Sequence, residues 1–299
     1  RLVKISKTIG IVGNGFVGSA VRYGFSPNVG VDAEVKVYDK DPNKSTHTLR
    51  DVLDSDVIFL SVPTPSNSDG SMNIDIVDNV LGEISKYALI LPDSPHNFEI
   101  GIILLRSTVT PGTTRKLQEK YQNLKIVFNP EFLTERSANF DFINQSRFIL
   151  GGEGGHDDGR SVVSELFRER FGHSLSIIET NYETAELIKY MSNTFFATKI
   201  SFLNDMKLLC DKVNGTWEDA IEGFVRDGRI GHSHLGVPGH DGKYGFGGSC
   251  FPKDIQALIN FGESVGVEMD VLKGAWKTNL KVRPEQDWKN LKGRAVVDE

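Results

Sequence analysis

The segment GFGGSCFPKD, Gly245 to Asp254, sets a cysteine between a glycine-rich turn and what reads as a helix start. A helix N-terminus favours a thiolate through its aligned peptide dipoles. Lys253, three residues on, adds positive charge. Asp254, at i+4 from Cys250, shares that helix face and is placed to take a proton or orient water. A carboxylate disfavours a neighbouring thiolate, so thiolate formation is not the task of Asp254. Gly247 and Gly248 allow close approach of backbone and substrate. A thiolate set in this way can attack an aldehyde. Loss of hydride from the adduct gives a thioester, and water then releases a carboxylate, which splits one hard oxidation into easier steps. The commoner reading of a lone cysteine is a small buried hydrophobe. We assign that reading to Cys210, which lies among Leu208, Leu209 and Val213.

Two further pairs repeat the i, i+4 spacing. Lys189 and Asn193 share a face of an apolar helical stretch, and Glu131 and Glu135 follow a strand in NPEFLTE. A lysine and an amide can hold an oxyanion, and a carboxylate can activate water. Solvated helix faces and a helix-start carboxylate account for the same residues about equally well.

A second constellation lies near the start of the chain. GNGFVG, which is Gly13, Asn14, Gly15, Phe16, Val17 and Gly18, fits G-x-G-x-x-G. The pattern alone is weak evidence. Here a strand precedes it, a helix follows it, and Asp39 ends the next strand, which is the dinucleotide-binding arrangement. Gly13 would make the tight turn, Gly15 would let the backbone approach a pyrophosphate at the helix N-terminus, and Gly18 would let helix and strand pack. Asp39 would bind ribose hydroxyls and repel a 2′-phosphate, so NAD is expected over NADP. The loops SVPTP, with Val62, Pro63 and Thr64, and RSTVTPGTT, with Thr108, leave C-terminal strand ends where such sheets bind ligands. Thr64 and Thr108 are expected near the nicotinamide half, whereas Thr110 and Pro111 read equally as plain helix entry.

The elements that must position these residues follow from periodicity. Apolar, β-branched runs at 8–13, 35–38, 57–62, 100–107, 125–129, 147–152 and 175–179 alternate with helical patterns at 75–87, 114–121 and 160–171. This alternation predicts βαβ units and a parallel sheet covered on both faces. From 182 to 213 the chain reads as one long helix that is apolar all round, hence buried between domains or against another subunit. Helices are expected at 217–227, 253–265 and 272–280. The expected fold is therefore α/β: an N-terminal Rossmann-type doubly wound sheet (residues 1–180), then a long central helix and an all-helical domain (181–299).

Composition bounds the function. The chain has 299 residues, ordinary hydrophobic and charged shares (39% and 25%) and a net charge of −6, which suits two globular domains. No basic run interleaves with aromatics, so no nucleic-acid partner is expected, and no apolar run reaches membrane-helix length, so no membrane is expected either. Two cysteines fit neither a disulfide framework nor a zinc site. The N-terminus runs directly into a strand pattern without a signal-peptide pattern, and a cytoplasmic, reducing setting is expected. His232 and His234 gain no third ligand in sequence, so no metal is expected.

Taken together, GIVGNGFVG, VYDKDP, SVPTP, STVTPG, NPEFLTE, ELIKYMSNTFFATKISFLND, RIG and GFGGSCFPKD occur in the order of one family. Over about residues 9–262 the chain resembles the UDP-glucose/GDP-mannose dehydrogenases, most closely the branch that oxidises UDP-glucose. The resemblance implies a four-electron oxidation of a nucleotide-sugar primary alcohol to a uronate with two NAD⁺, and a UDP-sugar as substrate. It makes Cys250 the nucleophile and gives Lys189 the oxyanion, with Asn193 and Asp254 nearby. It gives Asp254 and Thr108 the catalytic water, and Glu131 thioester hydrolysis and a place near the cofactor. It sets Lys253 near the site and the nucleotide-sugar against Phe132, Leu133 and Glu135, with Phe246, Gly247 and Gly248 from the glycine turn. Arg229 would reach a partner subunit's substrate across a homodimer built on the helix around 182–213.

The family's usual second nucleotide-binding domain would begin where LKGRAVVDE stands, and VRPEQDW reads as a finished tail, so a compact form is expected over a severed one. The same chemistry on GDP-mannose or a UDP-N-acetylhexosamine, a single-oxidation hydroxyacid dehydrogenase, and an inactive nucleotide-binding subunit are the alternatives.

Overall fold

A computed structural model describes residues 1–90, 99–155 and 157–298. The chain forms two compact units, Arg1–Thr64 with Ile74–Lys189 and Pro65–Asn73 with Tyr190–Glu299.

The first unit is α/β. A two-stranded parallel sheet pairs β1 (Val3–Lys4) with β3 (Val31–Asp32). The main sheet holds β2 (Ile9–Val12), β4 (Val35–Tyr38), β5 (Val57–Leu60), β6 (Ile102–Leu105), β7 (Ile126–Phe128), β8 (Arg147–Gly152) and β9 (Ser176–Asn181), in the order β4-β2-β5-β6-β7-β8-β9. The helices of this unit are α1 (Phe16–Gly24), α2 (Leu49–Leu53), α3 (Asp75–Ile90), α4 (Thr113–Lys120), α5 (Ala138–Ile143) and α6 (Arg160–Phe171).

β2, β5 and β6 are buried along their whole length, as their unbroken apolar runs require. The chain leaves β2 for β4 on one side and returns to β5 on the other. That reversal is the crevice where a doubly wound sheet takes its ligand.

One expectation needs correction. The sheet is not parallel throughout, because β8 runs antiparallel to β7 through Phe128 and Gly151. An apolar run reports two covered faces and carries no information about strand direction. β9, the 175–179 run, is also no covered strand: it lies at the sheet edge and is largely exposed.

In the second unit the α-helices after Tyr190 are most of α7 (Tyr182–Lys212), then α8 (Trp217–Val225), α9 (Cys250–Ser264) and α10 (Asp270–Val282), joined by loops that include 228–249. Its core joins Ala197, Phe246, Ile255 and Ala275. Segment 65–73 belongs here because Ser66 exchanges backbone hydrogen bonds with Ala295 and Val297, both at 2.9 Å.

The all-round apolarity of α7 does not translate into all-round burial within one chain. Tyr190, Ala197 and Leu203 are buried, but Met191, Phe195, Phe202 and Leu209 are 52–63% exposed. Cys210 is correspondingly half-buried, since its neighbours Leu209 and Val213 face outward. Among the described residues no helix is long and apolar enough to cross a membrane.

Candidate active site

In the first unit the β2–α1 turn has the geometry its glycines predict. Gly13 adopts φ +93°, and a Cβ there would collide with the Ser61 carbonyl at the end of neighbouring β5. A Cβ on Gly18 would collide with the Gly13 carbonyl, whereas Gly15 looks onto open space. Gly15 is also the N-cap of α1, whose first turn carries no acidic residue, so its amides present positive potential. Phe16 and Val17 pack on the sheet core.

Asp39 accepts hydrogen bonds from the Asn14 amide at 2.8 Å and the Asp41 amide at 2.9 Å. Partial burial pushes its carboxyl up, but those two amides with Lys44 and Lys40 outweigh it and hold the group below the usual carboxylate range. Its remaining lone pairs suit ribose hydroxyls. The turn and Asp39 therefore fit a dinucleotide.

The loops after β5 and β6 are tied to each other. Ser107 Oγ accepts from the Val62 amide at 3.1 Å and donates to its carbonyl at 2.7 Å. Thr64 Oγ1 donates to the Thr108 carbonyl at 2.6 Å. Thr64 is buried, Thr108 is half-buried and Pro63 is exposed. The next turn is clamped by Glu186 of α7, whose carboxylate accepts from the amides of Gly112 and Thr114 and from Thr114 Oγ1, each at 2.9 Å. Burial pushes Glu186 up to about 7 despite these bonds.

Glu131 and Lys189 come together. Lys189 Nζ donates to the Glu131 carbonyl and lies 3.7 Å from its Oε1, with both side chains largely buried. Glu131 Oε2 accepts from the Leu133 amide at 2.7 Å. The Phe132 ring has Lys189 Nζ at 5.3 Å and the Arg147 guanidinium at 4.2 Å. Glu135 is exposed and opens a short 3-10 turn, Glu135–Ser137.

Sequence reasoning missed what lies behind Glu131. Fully buried Arg106 donates to Asn129 Oδ1, and Asn129 Nδ2 donates to the Ile149 carbonyl at 2.9 Å. This fixes the Asn129–Glu131 turn. Burial pushes Arg106 down to about 10. The only sequence signal was a charge at the end of an apolar strand.

In the second unit Cys250 is the first residue of α9, three residues earlier than the expected helix, and it is exposed. Pro252 sits in the first turn, where its missing N–H is harmless. One turn on, Asp254 is buried. Its Oδ2 accepts from Asn193 Nδ2 at 2.7 Å and its Oδ1 from Lys253 Nζ at 2.8 Å. The positive charge expected of Lys253 is thus paired with the carboxylate of Asp254.

The preceding turn uses positive φ at Gly245 and Gly248. The Phe246 ring is buried in the core, and its amide and carbonyl both bond Asn279. Phe246 therefore builds the loop's framework, and the exposed part of the turn falls to its glycines. Arg229 is exposed and paired with Asp227 at 2.6 Å. The His234 ring stacks on Phe196 at 4.2 Å, and among the described residues no group of three metal-ligating side chains converges.

The UDP-glucose/GDP-mannose dehydrogenase family, NAD binding domain, matches residues 36–170, and the central domain of the same family matches residues 183–281. The chain is similar to the UDP-glucose 6-dehydrogenase AglM of Haloferax volcanii, at 30% identity over 97% of this chain and 73% of that protein. It is also similar to the UDP-glucose 6-dehydrogenase of Rickettsia typhi, at 34% identity over 78% of this chain and 51% of that protein. The chain spans about half the length of most of the curated relatives it matches. Among solved structures, a UDP-glucose dehydrogenase from Pyrobaculum islandicum superposes with a TM-score of 0.77 at 27% identity, covering 97% of this chain and 71% of that one. An NAD-binding domain matched over residues 36–170, a central domain matched over the cysteine-led helix, and a relative of which it covers nearly three quarters establish that this chain belongs to the UDP-glucose/GDP-mannose dehydrogenase family.

Proposed function

We propose that the chain oxidises UDP-glucose to UDP-glucuronate through a covalent adduct on Cys250. The observation that carries this reading is the exposed thiol at the first residue of α9, followed one turn later by the buried Asp254 that Asn193 and Lys253 hold. A dehydrogenase performing one oxidation needs no such nucleophile.

NAD⁺, held at Gly13–Gly18 and Asp39 with Val62, Pro63 and Thr64 alongside, supplies a hydride acceptor for each of the two oxidations. Every other role belongs to the chain. The Cys250 thiolate adds to the aldehyde carbon to form a thiohemiacetal, which on oxidation becomes a thioester. Lys189 and Asn193 stabilise the oxyanion. Asp254 and Thr108 orient water, and Glu131 assists its attack. The water oxygen bonds to the acyl carbon, the C–S bond breaks, and the carboxylate leaves with the thiolate restored. The turn at Phe132, Leu133 and Glu135 and the glycines at 247 and 248 hold the nucleotide-sugar. The exposed apolar face of α7 supports a homodimer in which Arg229 serves the partner's substrate.

Limiting UDP-glucose with excess NAD⁺ tests the reading. Two NADH per sugar is expected. One would indicate a single alcohol oxidation, and none with any nucleotide-sugar would leave a binding role. Cys250→Ala making uronate at the normal rate would remove the covalent scheme.

A further inference from the structure

We infer that Arg283 and Asp287 are positioning residues for Cys250, because they hold the glycine turn from which the first residue of α9 springs. The inference rests on the reading of Cys250 as the nucleophile. Arg283 follows the last residue of α10, and its side chain is 3% exposed. A buried guanidinium needs an acceptor in each direction of its fork. Here Nε donates to Asp287 Oδ1 at 2.6 Å and Nη2 donates to Asp241. Nη1 donates to the carbonyls of Tyr244 and Gly245, at 3.2 and 3.4 Å. Two carboxylates thus compensate one buried cation, whose third direction grips the turn itself.

Asp287 grips it a second time. Its Oδ2 accepts from the Gly248 amide at 3.2 Å, two residues before Cys250. The gap between these grips is filled from elsewhere. Asn204 Oδ1 accepts from the Gly245 amide at 2.9 Å, and Asn279 bonds the amide and carbonyl of Phe246 at 2.8 and 3.0 Å. From Tyr244 to Gly248 the backbone is therefore held by side chains 33 to 41 residues away in sequence rather than by bonds within the turn. Gly247 completes the fit, since a Cβ there would overlap both the Arg283 guanidinium and the Asp287 carboxylate.

Positive φ at Gly245 and Gly248 makes this turn soft on its own. A misplacement of about 1 Å in a reacting group can cost roughly 100-fold in rate. Fixing the Gly248 amide fixes the entry into α9, and with it the thiol over the helix N-terminus.

The test reads the thiol directly. Iodoacetamide alkylation of Cys250 is followed by peptide mass spectrometry from pH 6 to 9, with Cys210 as internal reference, beside kcat and KM. Asp287→Ala is expected to lower kcat by about 10- to 100-fold. It should also move the alkylation midpoint of Cys250 upward in pH, leave Cys210 unaffected and leave KM for NAD⁺ within about twofold. Asp287→Asn keeps one acceptor for its two donors and should fall between that variant and wild type. A folded Asp287→Ala with wild-type kcat and wild-type Cys250 alkylation overturns the inference. If Asp287→Ala does not fold, Asp287→Asn decides it by the same two readouts. The alkylation needs no turnover, so it judges the positioning role even if Cys250→Ala proves fully active and the covalent reading falls.

Discussion

Asn193 Nδ2 donates to Asp254 Oδ2 at 2.7 Å, and Asn193 is 9% exposed and Asp254 1%. The bond joins α7 to the helix that begins at Cys250. It also satisfies one oxygen of a buried carboxylate whose other oxygen faces Lys253. Removing the amide leaves a buried acceptor short of a partner, which typically costs about 1–3 kcal/mol. Asn193→Ala should therefore lower thermal stability by that amount and cut kcat by about 10- to 100-fold. Asn193→Asp should be worse at neutral pH, because two carboxylates at that separation resist joint ionisation. Thermal unfolding and turnover at pH 8 check both. An Asn193→Asp variant as stable as wild type at pH 8 would show that the bond contributes nothing.

Glu186 sets a pH dependence of stability. Its pKa is raised by burial to about 7 from an ordinary 4.5. The folded chain therefore holds a proton that the unfolded chain releases between those values. The contribution is fully present below pH 4.5 and is lost as pH rises through 7, an amount of about 3 kcal/mol. The glutamine variant Glu186→Gln keeps an oxygen toward the Gly112 and Thr114 amides and cannot titrate. Its melting temperature should fall less than that of wild type between pH 5 and 8.5. Equal slopes for the two proteins would show that Glu186 does not titrate in this window.

Much of this fold is legible from local pattern. VKVY and RFILGG are β4 and β8 residue for residue, and the Arg160–Phe171 pattern is α6. The dinucleotide turn is legible because its glycines answer close backbone approaches, at Ser61 for Gly13 and at Gly13 itself for Gly18. Strand direction was not legible at β8, since both directions bury the same side chains. The supports of the site were not legible for a different reason. Arg283 meets Asp241 and Tyr244 across about forty residues of chain, and no local rule pairs them. The one available signal was the i, i+4, i+8 spacing of Asn279, Arg283 and Asp287, which a tail-like VRPEQDW conceals because the helix ends at Val282.

Asp39 should decide between dinucleotides. Its carboxylate is held ionised by the amides of Asn14 and Asp41, where it would repel a 2′-phosphate and accept from ribose hydroxyls. Asp39→Ala should raise KM for NAD⁺ by about tenfold or more, the loss of a charged hydrogen-bonding partner. It should narrow the NAD⁺/NADP⁺ preference by relieving the repulsion. Steady-state kinetics with both cofactors check this, and an unchanged preference ratio would remove Asp39 from cofactor selection.

The apolar face of α7 predicts assembly. Leu187, Met191, Phe195, Phe202, Met206 and Leu209 recur at spacings of three, four and seven and are each at least 36% exposed in a single chain. A contiguous apolar stripe of this kind marks an interaction surface, and a two-fold axis lets the same stripe cover itself. Wild type should sediment at twice the chain mass, and Phe195→Glu should sediment as a monomer with its helical circular dichroism retained. If Arg229 serves the partner's substrate, mixing the separately inactive Arg229→Ala and Cys250→Ala proteins should restore activity. Random exchange gives about half heterodimers, each with one intact site of two, so about a quarter of wild-type activity is expected. Monomeric wild type at tens of micromolar would overturn the dimer, and a dimer without recovery on mixing would confine Arg229 to its own subunit.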